Sequence, residues 1–166
     1  MLIRSLRAEN FMRFSALTIR GIPQRGVIGI EGLNESGKTT IGDAILFALF
    51  GKTPKNEDMP VSELIRWNAD KLFVQLEFSV PGAGDFLVYR EIDRHGVNFV
   101  KLLESASRRE VAIGNVDVNR TLSRLLRFDP REFQGTFYLG QHVAVSGNGF
   151  APELTDSRRS EERRCG

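Results

Sequence analysis

Gly32-Leu33-Asn34-Glu35-Ser36-Gly37-Lys38-Thr39, followed by Thr40, decides the reading of this chain. It fits G-x-x-x-x-G-K-[ST], the phosphate-binding P-loop. Val27-Ile28-Gly29-Ile30 before it is short, apolar and β-branched, and reads as a buried strand. Ile41 to Phe50 after it reads as a mostly buried helix closed by Gly51. The chemistry asks for these residue types. Glycines let the backbone curl so that successive N–H groups face phosphate oxygens, and the following helix aims its positive end at the same anion. Lys38 then reaches the β- and γ-phosphates, and the Thr39 hydroxyl ligates Mg²⁺. ATP and Mg²⁺ are the expected cofactors, with Ser36, Gly37 and Thr40 completing the loop.

Working outward towards the N-terminus, Met1 to Ala8 and Ala16 to Arg20 read as strands joined through Glu9 to Ser15. Gly21 to Arg25 is a turn. On the other side, Gly51 to Pro60 is a polar loop broken by two prolines. Val61 to Trp67 reads as a short amphipathic helical turn, with Trp67 packed beside Leu64 and Ile65. From Lys71 the period becomes two, and strands at 71–79, 86–93 and 97–103 form an antiparallel meander. His95 falls in one of its turns. Asn115 to Phe128 has helical spacing, with Val118, Leu122, Leu125 and Leu126 on one side and Arg120, Arg124 and Arg127 largely on the other. Asp129-Pro130 opens a further helix to Leu139, and Gly140-Gln141 follows. Residues 151–166 form a polar stretch that reads as a frayed tail or the first turns of a solvated helix.

Bulk properties set limits. The 166 residues are 41% hydrophobic and 27% charged, an ordinary globular balance for one domain. A net charge of +2 does not by itself argue for nucleic acid. No apolar run reaches the roughly 20 residues of a membrane span, and Arg4 and Arg7 interrupt the N-terminus too early for a signal peptide. The single cysteine, Cys165, cannot form an internal disulfide, so the cytoplasm is the expected compartment.

With these residues in view, the chain resembles the N-terminal lobe of SMC-like ATPases of the SbcC, RecF and RecN type. These carry ABC-class head domains and act in DNA repair and chromosome maintenance. The resemblance rests on Asn10-Phe11 with Arg13 close behind, on the P-loop with Asn34 in its middle, and on Asp43-Ala44-Ile45. Glu63 to Arg66 ahead of the meander and the run from Phe133 to Gln141 add to it. It implies an α/β fold of the P-loop NTPase class: a mixed sheet, an antiparallel β meander and a helical segment, with the head lobe at 1–150 and the tail at 151–166. It implies that Arg13 lies near the nucleotide and that Asn34 braces the loop. Gln141 would reach Mg²⁺ and the attacking water, joining Lys38 in catalysis and Thr39 at the metal. Glu35 stands where the family most often has glycine, so its charge must point away from the phosphates.

What is missing is equally informative. ATP hydrolysis needs an apolar strand ending in carboxylates. The nearest stretch, Phe86 to Asp93, alternates and turns immediately, as a hairpin does. No LSGG-type signature is present, since Val145-Ser146-Gly147 does not match. The resemblance places both elements in a C-terminal lobe of the same head, reached through a coiled coil. The implied partners are that lobe, a second head, DNA contacted through Arg108, Arg109, Arg120, Arg124, Arg127 and Arg131, and a nuclease subunit, with no membrane. Strands of the core sheet would come from the missing lobe, so apolar surface is expected to stand exposed. The alternatives are a self-contained P-loop phosphotransferase of the nucleoside-kinase kind and a non-hydrolysing nucleotide-binding interaction module. Guanine specificity lacks its N-K-x-D segment.

Overall fold

The alternation that starts at Lys71 forms the centre of a single sheet in a computed structural model, which describes residues 1–33, 36–53, 60–96, 98–128 and 132–133. Strands β1 (Leu2–Phe11) and β2 (Phe14–Ile19) precede helix α1 (Lys38–Phe50). A 3-10 turn (Val61–Leu64) leads into β3 (Lys71–Val80), β4 (Gly84–Asp93), β5 (Asn98–Glu104), β6 (Glu110–Ile113) and helix α2 (Asn115–Leu126). The order across the sheet is β2-β1-β3-β4-β5-β6, and every pairing is antiparallel.

Two expectations need correction. The sheet is antiparallel throughout the described residues, not mixed. Val27 to Ile30 forms no strand and is exposed, Val27 at 99% and Ile28 at 51%. The physical reason is the one that makes parallel strands core elements: such a strand needs neighbours on its edges and cover on both faces. The described residues supply neither. Leu33 and Ile30 share the exposure, so the expected apolar surface is present at the approach to the P-loop.

The inward residues of the sheet, among them Leu6, Ala8, Leu72, Val74, Leu76, Val88, Val100 and Leu102, are at most 2% exposed. They share one hydrophobic core with α1. Residues Leu46 to Phe50 are all buried, so the helix is covered on nearly every side, as its all-round apolar sequence demands. Phe47 meets Phe11 of β1 with ring centroids 5.6 Å apart. Gly51 closes α1 in the left-handed conformation (φ 73°), its N–H bonding the Phe47 carbonyl at 2.8 Å. Helix α2 buries Val118, Leu122 and Leu126, as its spacing predicts.

Arg90 ties these helices together. It points inward from β4, is 1% exposed, and makes four hydrogen bonds. Nε and Nη2 donate to the Ala48 and Leu49 carbonyls at 2.7 and 3.0 Å, at the negative end of α1. Nη1 and Nη2 donate to the side-chain oxygens of Asn115 (2.8 Å) and Asn119 (2.5 Å) on α2. Burial lowers its pKa to about 10, which leaves the cation intact at neutral pH. Sequence alternation had placed position 90 in a hairpin, and it is there, but nothing in the pattern announced a buried cation.

Smaller differences have local causes. Pairing of β1 with β2 continues to Phe11–Phe14, with Asn10 and Met12 at positive φ (52° and 49°), so the connection is tighter than expected. Strand β6 was not anticipated; its alternation covers only four residues before Gly114. Trp67 is 80% exposed and does not pack beside Leu64 and Ile65, which are buried. The chain leaves the core at Arg66, whose N–H bonds the Asn10 carbonyl at 2.8 Å, and turns through Asn68 at φ 67°. The helix expected from Pro130 to Leu139 lies outside the described residues except for Glu132 and Phe133, which are helical. The tail at 151–166 lies wholly outside them.

Candidate functional site

The described part of the P-loop is a tight coil that runs directly into α1. Ser36 N–H bonds the Leu33 carbonyl at 3.1 Å, and Thr40 N–H bonds the Gly37 carbonyl at 2.9 Å as the first helical turn closes. Gly37 caps the helix at φ 95°, a conformation that side chains rarely adopt. At Gly32, a Cβ would lie 2.8 Å from Ser36 Oγ, so a side chain there would make the Ser36 hydroxyl turn aside. Lys38 folds back over the loop and donates Nζ to the carbonyls of Gly32 (2.6 Å) and Leu33 (2.8 Å). Its ammonium therefore sits at the mouth of the coil, beside the positive end of α1.

The other expected site residues divide clearly. Ser36 and Thr39 are exposed at the helix entrance. Thr40 is 2% exposed and its N–H is committed to Gly37, so of the two threonines Thr39 is the one at the surface. Arg13 is exposed in the β1–β2 turn, directly before Phe14. The Phe14 ring lies against Gly37, which brings that turn to the P-loop. Asn34, Glu35 and Gln141 lie outside the described residues. Among the described residues, no group of three or more His, Cys, Asp or Glu side chains has metal-binding geometry.

On the far side of the β1–β2 turn lies a cleft of about 460 Å³, lined by Met12, Glu63, Ile65, Trp67 and Arg94 among others. Met12 N–H bonds the Leu64 carbonyl at 2.7 Å, which fixes the turn against the cleft wall. Arg94 is held by the carbonyls of Ala69 (2.6 Å) and Arg66 (3.3 Å). One short turn, Met12-Arg13-Phe14, therefore touches the P-loop with one end and the cleft with the other. Sequence reading missed this cleft because it assigned Trp67 to the core on the strength of its apolar neighbours. The signal that was available is Asn68, a residue type that tolerates the left-handed turn conformation found there (φ 67°).

The arginines expected to meet DNA fall into two places. Arg108 and Arg109 lie in the β5–β6 turn, and Arg120, Arg124 and Arg127 are exposed on α2 or at its end. Two of them carry carboxylate partners: Arg109 with Glu104 at 2.6 Å and Arg120 with Asp117 at 3.3 Å. Hydrogen bonds from Arg109 and Ser107 hold the Glu104 carboxyl near 2, well below its ordinary value. It therefore stays ionised beside Arg109 at any ordinary pH. Arg131 lies outside the described residues. No helix among them is long and apolar enough to cross a membrane.

Comparison with known proteins agrees with this geometry. The sequence matches the AAA domain family over residues 5–162. A DNA double-strand break repair Rad50 ATPase of Sulfolobus acidocaldarius is 29% identical over 155 residues, covering 93% of this chain and 17% of that protein. The DNA replication and repair protein RecF of Desulforudis audaxviator is 27% identical over 166 residues, covering 99% of this chain and 44% of its own length. The chain thus spans less than half the length of either relative. In fold, it matches a structure solved in a study of ATP-driven dimerization and DNA-stimulated activation of SMC ATPases. The TM-score is 0.61 at 23% identity, over 78% of this chain and 82% of that one. The chain belongs to the AAA domain family, and within it to the N-terminal lobe of the SMC-like ATPase head.

Proposed function

We propose that the chain is the ATP-binding half of a composite SMC-like ATPase site that acts in DNA repair. The observation that carries this is the Lys38 ammonium folded over the coil at the start of α1, 2.6 Å from the Gly32 carbonyl. A cation and a row of backbone N–H groups at a helix N-terminus form a polyphosphate cradle. Lys38 binds the β- and γ-phosphates, Thr39 holds Mg²⁺, and Arg13 approaches from the β1–β2 turn. Asn34 braces the loop, and Gln141 reports on the metal. Hydrolysis waits for a C-terminal lobe, which covers Val27, Ile28, Ile30 and Leu33 and supplies the carboxylates. A second head then clamps the nucleotide, and DNA lies along Arg108, Arg109, Arg120, Arg124, Arg127 and Arg131.

The base takes the Trp67 cleft. The turn that touches the P-loop glycine also forms one wall of that cleft, and a nucleotide with its phosphates on Lys38 would reach it by extending past Arg13. An exposed indole face suits a nucleobase, and such stacking is worth roughly 1–3 kcal/mol per base. Trp67 is the only tryptophan in the chain, so its emission reports on the cleft directly. Titrating the 166-residue chain with Mg-ATP is expected to change that emission saturably, whereas inorganic tripolyphosphate binds without the change. Trp67→Ala should weaken ATP roughly tenfold to a hundredfold and leave tripolyphosphate unaffected. Binding of neither ligand overturns the nucleotide reading. ATP binding by calorimetry with silent emission removes only the place of the base.

A further inference from the structure

We propose that Phe14 is a positioning residue of the phosphate loop: its ring is the wall that sets the backbone of Gly37. The proposal rests on reading that loop as a phosphate site. Phe14 opens β2, directly opposite Phe11 across the β1–β2 turn, and its ring reaches over to the start of α1. A Cβ at Gly37 would lie 2.9 Å from Phe14 Cζ and 3.3 Å from Cε1, closer than side chains tolerate. Gly37 is buried, although Ser36 on one side and Thr39 two residues on are exposed. Something must cover it, and the ring edge is what stands there.

The position matters chemically. Gly37 is the residue at which coil becomes helix, with φ 95°, and its carbonyl receives the first helical hydrogen bond from Thr40. The Lys38 and Thr39 N–H groups that follow open the helix, where an anion would find its donors. An aromatic wall pressed on this glycine restricts the tilt of those peptide planes. The donors are then aimed before the ligand arrives, which spares the ordering cost on binding. Phe14 touches no phosphate in this arrangement; it acts through Gly37. Its place next to Arg13 also couples the arginine to the loop: one turn carries both.

The test is a double-mutant cycle in the 166-residue chain, read with Mg-tripolyphosphate and Mg-ATP by calorimetry. Phe14→Ala is expected to weaken both ligands equally, by about three- to thirtyfold, because it acts on the phosphate end. This separates it from Trp67→Ala, which weakens ATP alone. Gly37→Ala is expected to weaken both further, and Phe14→Ala placed on top of it should restore part of that loss by making room for the methyl group. Losses that simply multiply overturn the proposal, as does a Phe14→Ala chain that binds tripolyphosphate like the parent. Should Gly37→Ala fold but bind too weakly to titrate, the melting temperature carries the same cycle: Phe14→Ala must then cost less stability in the Gly37→Ala chain than in the parent, and an equal cost refutes the wall. A parent chain that binds no tripolyphosphate overturns the phosphate reading and the Phe14 role together.

Discussion

Arg90→Ala is expected to lower folding stability by roughly 3–5 kcal/mol, the largest effect of any single substitution considered for this chain. The estimate follows from what the side chain satisfies. Removing it takes the donor from the Ala48 and Leu49 carbonyls at the buried end of α1 and from the Asn119 oxygen, and leaves the Asn115 oxygen only its bond from Asn119 Nδ2. A buried acceptor left without a donor costs about 1–3 kcal/mol, and some of the four will find water. For a chain of this length that corresponds to a fall of roughly 10–15 °C in melting temperature. Arg90→Met keeps most of the stem and should recover only the packing share, which isolates the hydrogen-bonding loss. Arg90→Lys restores the charge but not the fork, and should fall between the two. Gly51 adds a constraint: a Cβ there would lie 3.0 Å from Arg90 Nη1, so the left-handed cap and the arginine fit each other. Chemical denaturation of the three variants checks the order, and a loss below about 1 kcal/mol for Arg90→Ala would contradict the clamp.

Lys38→Ala is expected to weaken Mg-ATP and tripolyphosphate about tenfold to several hundredfold while leaving the melting temperature within a few degrees. Charge-assisted hydrogen bonds contribute about 1.5–3 kcal/mol, which sets the range of the loss. The present partners of Lys38 are loop carbonyls near the surface, at 2.6 and 2.8 Å, so the fold does not depend on them. Those bonds have a second consequence. Nucleotide must draw the ammonium away from Gly32 and Leu33, so part of the binding energy is offset by releasing the resting contact. Lys38→Arg should not rescue binding, because a planar guanidinium is bulkier than the compact ammonium held between the Gly32 and Leu33 carbonyls. Equal affinity of the Ala and parent chains for tripolyphosphate, measured by calorimetry, would remove Lys38 from the site.

How much of this was legible in the sequence depended on range. The meander was legible because a half-buried strand writes its faces as alternation: Leu72, Val74, Leu76 and Phe78 are inward and buried, as read. Helix α1 was legible from its apolar run and from Gly51. Strand β6 was too short to establish a period. Val27 to Ile30 has the composition of a core strand and is not one here, because composition cannot say whether the neighbouring strands are present. Arg90 was illegible for a similar reason: its partners come from the far ends of two helices, at separations of 25 to 42 residues. At the candidate site, the placing of Lys38 and Thr39 at the start of α1 followed from the motif. The cleft and the Phe14 contact did not, since both depend on how one tight turn packs against elements distant in sequence.

The central claim is that this chain holds a nucleotide but has only half of what hydrolysis needs. Phosphate release from saturating Mg-ATP by the 166-residue chain alone tests it most directly, with Lys38→Ala as the reference. The account predicts release indistinguishable between the two. Sustained turnover by the parent chain that disappears in Lys38→Ala would contradict it.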